Sequence, residues 1–301
     1  MATNLLQNLP AGIIEHAAAY DVAQDALTDA WRQAHHAAQA VVEAGKRWGD
    51  PQPDDSHSAM AMKPGERESG GNWWRSSAKD VYASLGFGAG GMEITVGSPD
   101  GPDASAAPLA GLTLEDAYRF VRESARRLTG EGPRNEPSPA PDLPDHPVAD
   151  GAAFDANANV LPALDGIYVD AARAIAAVSR ATEASAEGGV LCWPHHFDIA
   201  GLFVLDRDEG GDMTKTIGVG VTPPDGLDDS GYWYVSPWSK AGVENAKPDD
   251  PPDGRWHDRG KDAPPMALLS VADIRNANDR GEAIRGFLAH SLVACNEMLK
   301  P

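Results

Sequence analysis

The chain has 301 residues, enough for one large domain or two modest ones, and its 42% hydrophobic content excludes wholesale disorder. Acidic residues outnumber basic ones 45 to 25, giving a formal net charge of −20. Such a surface repels phosphate backbones and anionic lipid, which argues against nucleic-acid and membrane partners.

Two well-separated cysteines in apolar contexts, Cys192 and Cys295, fit buried thiols in a reducing compartment. No basic residue precedes Arg32, as a charged secretory leader would require, and no apolar run nears the ~20 residues of a membrane span. The expectation is a cytoplasmic protein.

Pro10 is placed as the first residue of a long helix ending near Trp48, with Ile14, Ala18, Val22, Ala26, Trp31, Ala34, Ala38 and Val42 as its apolar stripe. His35 and His36 diverge by about 100° on such a helix, so they cannot chelate one ion together and read as solvated. A polar loop covers Gly49 to Gly71, and Asn72-Trp73-Trp74-Arg75 opens a short helix or strand through Leu85. The glycines from Gly86 to Gly91 precede a strand (Met92 to Val96) rather than a helix, so they read as a turn and not as a phosphate cradle.

A capped amphipathic helix follows from about Leu114 to Leu128, closed by Gly130. Six prolines between Pro133 and Pro147 then forbid regular structure. Helix returns over Val160 to Ala184, stopped by Gly188-Gly189. Strands are expected at Thr216–Thr222, Tyr232–Val235 and Met266–Leu269, with Ser270 capping the last helices. Trp233 reads as core, whereas Tyr232, Tyr234 and Trp238 divide evenly between core and pocket wall.

The densest chemistry is Trp193-Pro194-His195-His196-Phe197-Asp198. Read as a strand, it puts Trp193, His195, Phe197 and Ile199 on one face and Pro194, His196 and Asp198 on the other. A His-x-Asp pair joined by a later imidazole is the pattern of a two-His, one-carboxylate face that holds a divalent ion, Zn or Fe, with positions left open. His257 is the candidate third ligand, with His146 as substitute; His195, Tyr232 and Tyr234 are the candidate catalytic groups beside the metal ligands His196, Asp198 and His257. The spacing suits an iron- and 2-oxoacid-dependent oxygenase, but Met266-Ala267-Leu268-Leu269 stands where those enzymes carry a basic residue. The alternative is structural: a core histidine at His195, a hydrogen-bonded Asp198 and a solvated His257.

These residues, with Gly218-Val219-Gly220, Pro223-Pro224-Asp225-Gly226, the Tyr232–Trp238 run and Trp256-His257, resemble a bacterial domain family of unknown function whose members often read Trp-Pro-His-His-Phe-Asp. Asn72-Trp73-Trp74 and the following helix are similar to that family's first half. Some of its members replace the His pair by Gly-Ser while keeping Phe-Asp, which implies that the pair need not ligate a metal. The resemblance spans most of the chain and implies no activity.

The expected fold is α+β, mostly antiparallel sheet flanked by long amphipathic helices, arranged as an N-terminal half (1–130), a Pro-rich linker (131–153) and a C-terminal half (154–301) carrying the motif. Each half runs helix, strands, helix, as two related halves would. Two functions fit: a metal-dependent enzyme acting on a small molecule through a His/Asp/His site, or a non-enzymatic small-ligand-binding or scaffold protein in which the motif is structural.

Overall fold

The computed structural model describes residues 8–52, 55–63, 73–78, 80–88, 90–136, 141–243, 248–260 and 263–300. Their helices are α1 (Gln24–Val41), α2 (Glu43–Trp48), α3 (Leu114–Thr129), α4 (Leu161–Thr182), α5 (Val271–Asn276) and α6 (Arg280–Met298), with 3-10 turns at Ala17–Asp21, Ser56–Ser58 and Pro147–Asp150. The strands are β1 (Met60–Lys63), β2 (Trp73–Ser77), β3 (Tyr82–Gly88), β4 (Gly91–Gly97), β5 (Ala104–Pro108), β6 (Ala186–Trp193), β7 (Asp198–Arg207), β8 (Met213–Thr222), β9 (Tyr232–Ser239), β10 (Arg255–His257) and β11 (Met266–Ser270). Every described register between these strands is antiparallel, and the fold is α+β as expected. Among the described residues no helix is long and apolar enough to cross a membrane.

The chain divides into two interleaved units. The central unit comprises Val22–Asp165 and Leu191–Asp198; the flanking unit comprises Met1–Asp21, Gly166–Val190 and Ile199–Pro301. The Pro-rich segment expected as a linker at 131–153 thus falls inside the central unit. Its described residues are tied to other parts of that unit: the Arg134 and Asn135 backbone N–H groups donate to the Arg47 carbonyl, and the Asn135 side chain donates to Lys46 and Gly49.

In the central unit the strand order is β6-β1-β2-β3-β4-β5. Alternation in β4 buries Met92, Ile94 and Val96, and α1 and α3 lie on strands of this sheet. Helix α3 begins where expected, because the Thr113 side chain accepts from Asp116 N while Asp116 accepts from Thr113 N. It ends at Gly130, whose φ of 70° closes the last turn.

In the flanking unit the order is β10-β11-β9-β8-β7-β6, with α6 packed on β9 and β11. Ile217, Val219 and Val221 are buried along β8 as the alternation requires. Trp233 is core, fully buried with its indole N–H on the Tyr20 hydroxyl at 3.3 Å. Ser270 caps α5 by accepting from Asp273 N at 2.9 Å.

Several expectations are corrected. The first long helix starts at Gln24, not Pro10, because the Glu15 and His16 N–H groups bond the Asp170 carboxylate of α4 instead of helical carbonyls. The stretch expected as one element through Leu85 contains two strands, β2 (Trp73–Ser77) and β3 (Tyr82–Gly88). Strand β1 lies within the stretch read as loop, and β5 was not foreseen; short, polar or Ala-rich strands carry little alternation. Gly188 and Gly189 lie inside β6 with φ of 68° and 84°. The side chains of Asn72, Trp73 and Trp74 lie outside the described residues.

Candidate functional site

Helix α1 is the element on which the Trp-Pro-His-His-Phe-Asp motif rests. Ala30, Ala34, Ala37, Ala38 and Ala40 leave its sides slim enough for other segments to approach closely, and from Ala30 to Val41 nearly every position is buried. His35 and His36, expected to be solvated, are therefore 4% and 1% exposed. Each buried imidazole grips a carbonyl that has no ladder partner. His35 Nε2 donates to Pro194 O at 2.9 Å, and His36 Nε2 donates to Pro144 O at 3.0 Å.

Residues four apart share a helix face, so Gln39 joins His35 and donates to Pro194 O at 2.6 Å. Gln33 and Asp155 exchange two hydrogen bonds of 2.9 Å, and Asp29 meets His146 Nε2 at 3.1 Å. Helix α1 thus anchors two irregular segments from different faces. None of these five α1 side chains was singled out as a binding group by sequence pattern; the signal was the run of alanines, which marks close approach on every side.

The motif is not a strand. Strand β6 ends at Trp193, residues 194–197 form a turn, and β7 starts at Asp198. Pro194 has no N–H with which to continue a ladder. Phe197 then donates its N–H to Trp193 O at 2.6 Å and adopts a φ of 54°, a left-handed conformation that costs an aromatic residue about 1–2 kcal/mol. Burial offsets that cost: the Phe197 ring is 0% exposed and stacks on His35, centroids 5.4 Å apart and planes 14° apart. The parity that would have aimed His196 and Asp198 to one side does not apply across such a turn.

The turn sorts the motif into two environments. His195 and His196 are exposed, with ring centroids 4.4 Å apart, and Trp193 meets His195 edge-on at 6.1 Å. Phe197 and Asp198 are buried. Burial of the His35 ring lowers its pKa from 6.5 to about 4, the Pro194 hydrogen bond acting in the opposite sense and the nearby imidazoles adding to the fall. His36 and His195 are lowered for the same first cause, desolvation. Cys192, one residue before Trp193, is pushed well up by burial and by the charge of Asp198, which makes it a poor nucleophile.

The remaining candidates stand on the flanking unit. Tyr232 is buried, and its hydroxyl donates to Asp225 Oδ2 at 2.8 Å, fastening the turn before β9. Tyr234 lies over Gly220 of β8, so closely that a Cβ there would fall 2.7 Å from the phenol oxygen. The two tyrosines share one face of β9. Trp238 on that face is 44% exposed. His257 pairs with Met266 between β10 and β11, and is half-buried beside Trp256, whose indole donates to Asp249 O at 2.9 Å.

His195 and His196 are thus brought together, and Tyr232 and Tyr234 share a strand face, whereas His257 belongs to a different unit from His196 and Asp198. Among the described residues no three His, Cys, Asp or Glu side chains are grouped so as to hold a metal ion. No family model, no curated protein and no solved structure matches the chain. What the fold and site define is an α+β protein of antiparallel sheet with a helix-clasped hairpin.

Proposed function

We propose that the chain is a small-ligand-binding or scaffold protein whose Trp-Pro-His-His-Phe-Asp motif is a structural clasp between a β-hairpin and helix α1. The observation that carries this reading is the Pro194 carbonyl, which receives both the His35 and the Gln39 side-chain donors while Phe197 stacks on His35. A hairpin tip held at three points serves rigidity. The strongly conformationally restricted residues, Pro194 and Phe197, face the helix, and the chemically versatile pair His195 and His196 faces solvent. The face of β9 bearing Tyr234 and the exposed Trp238 supplies the amphipathic aromatic surface on which a small ligand would lie.

The test is the double variant His195→Ala/His196→Ala, examined as untagged protein for metal content and for urea unfolding with and without chelator. Surface substitutions away from packing stay within about 0.5 kcal/mol, and that is the expected change, with no metal lost. Stoichiometric zinc or iron in the parent, lost in the variant together with its stabilisation, would favour the metal-dependent enzyme instead.

A further inference from the structure

His16 is an imidazole outside the clasp, and a buried carboxylate holds it. Asp170, near the middle of α4, is fully buried, and an ionised carboxylate in that position is costly unless it is hydrogen-bonded. It accepts from Glu15 N at 2.8 Å, from His16 N at 3.1 Å and from His16 Nδ1 at 2.9 Å. The same carboxylate therefore fixes both the backbone and the ring of His16. Because a carboxylate only accepts, Nδ1 carries a proton, and in the neutral ring the remaining lone pair is on Nε2. The His16 side chain is 43% exposed.

The neighbourhood suits a fixed, reachable ring. Gly166, one turn before Asp170, has no side chain to displace it: a Cβ there would lie 2.9 Å from the His16 Cβ. Glu15 turns to Arg173 at 2.7 Å, so its charge is engaged elsewhere. Tyr20 stays a neutral phenol, pushed up by burial and then by the Asp170 charge, and hydrogen-bonds Trp233. Among the described residues no hydroxyl or thiol is hydrogen-bonded to His16, so a water molecule rather than a side chain is the group it would activate.

We infer that His16, oriented by the buried Asp170, is a general-base site for the attack of water on an acyl ester. The water oxygen bonds to the carbonyl carbon as its proton passes to His16 Nε2. Collapse of the tetrahedral adduct breaks the bond to the alkoxide or phenoxide, which takes that proton, and the acid and alcohol leave with the imidazole restored. This capacity is independent of the clasp and of the β9 face.

The full chain is assayed with p-nitrophenyl acetate against His16→Gln, whose side-chain amide still donates to Asp170, against Asp170→Asn and against His195→Ala/His196→Ala. The expected result is a protein-dependent rate above the uncatalysed background. It falls by about tenfold or more in His16→Gln, within the range general-base catalysis supplies, while melting is little changed. Asp170→Asn should lower the rate as well, and the hairpin variant should leave it intact. Equal rates in His16→Gln and the parent, or loss of the rate with the hairpin pair instead, would overturn the inference. Should Asp170→Asn not fold, His16→Gln alone decides.

Discussion

Replacing Phe197 by Ala is expected to lower the free energy of unfolding by about 3–5 kcal/mol, the range for removing a fully buried aromatic ring. The ring is 0% exposed, is stacked on His35 and sits at the end of a turn that its own backbone closes. Truncation leaves a void beside α1 and removes the burial that compensates for a φ of 54°. A companion variant separates the two effects. Phe197→Gly removes still more apolar area but relieves the left-handed strain, worth about 1–2 kcal/mol, so it should cost no more than the alanine. Urea unfolding followed by tryptophan fluorescence reads both, and a glycine variant clearly worse than alanine would contradict the strained turn.

The second large effect is expected from pH. In the folded chain the pKa of His35 is about 4, against 6.5 for the unconstrained side chain. Between those values the unfolded chain carries a proton on His35 that the folded chain does not, so the derivative of unfolding free energy with pH is positive there. Stability is thus fully present above pH 6.5, is lost as pH falls toward 4, and changes no further from this group below that. At 1.36 kcal/mol per pH unit the whole window amounts to about 3 kcal/mol. His36 and His195 shift the same way and add to the trend. The check is unfolding free energy at pH 7 and pH 4.5 for the parent and for His35→Gln, which keeps a donor for Pro194 but does not titrate. The variant should lose about 2–3 kcal/mol less on acidification; parallel pH profiles would mean that His35 is not the neutral donor.

Much of this architecture was legible from the chain. The N-cap before Leu114, Gly130, the alternation of Ile217, Val219 and Val221, and the Ser270 cap are local signals, and each produced the element it announces. What was not legible depends on partners distant in sequence. Nothing near Glu15 and His16 reveals that a carboxylate at 170 will take their N–H groups and delay the helix. The motif itself misled because left-handed turns normally announce themselves with Gly, Asn or Asp, and here that conformation falls on a phenylalanine held in place by a helix about 160 positions earlier. His35 and His36 were misjudged because helical spacing separates faces but does not say that an alanine-rich helix is covered on both.

The most direct measurement is a double-mutant cycle on unfolding free energy with His35→Ala, Phe197→Ala and the pair. If the hairpin is clasped by this contact, the two losses fall short of additivity by about 1 kcal/mol or more, as for residues in contact. Losses that add to within about 0.3–0.5 kcal/mol, as for distant sites, would mean the motif is not held by α1.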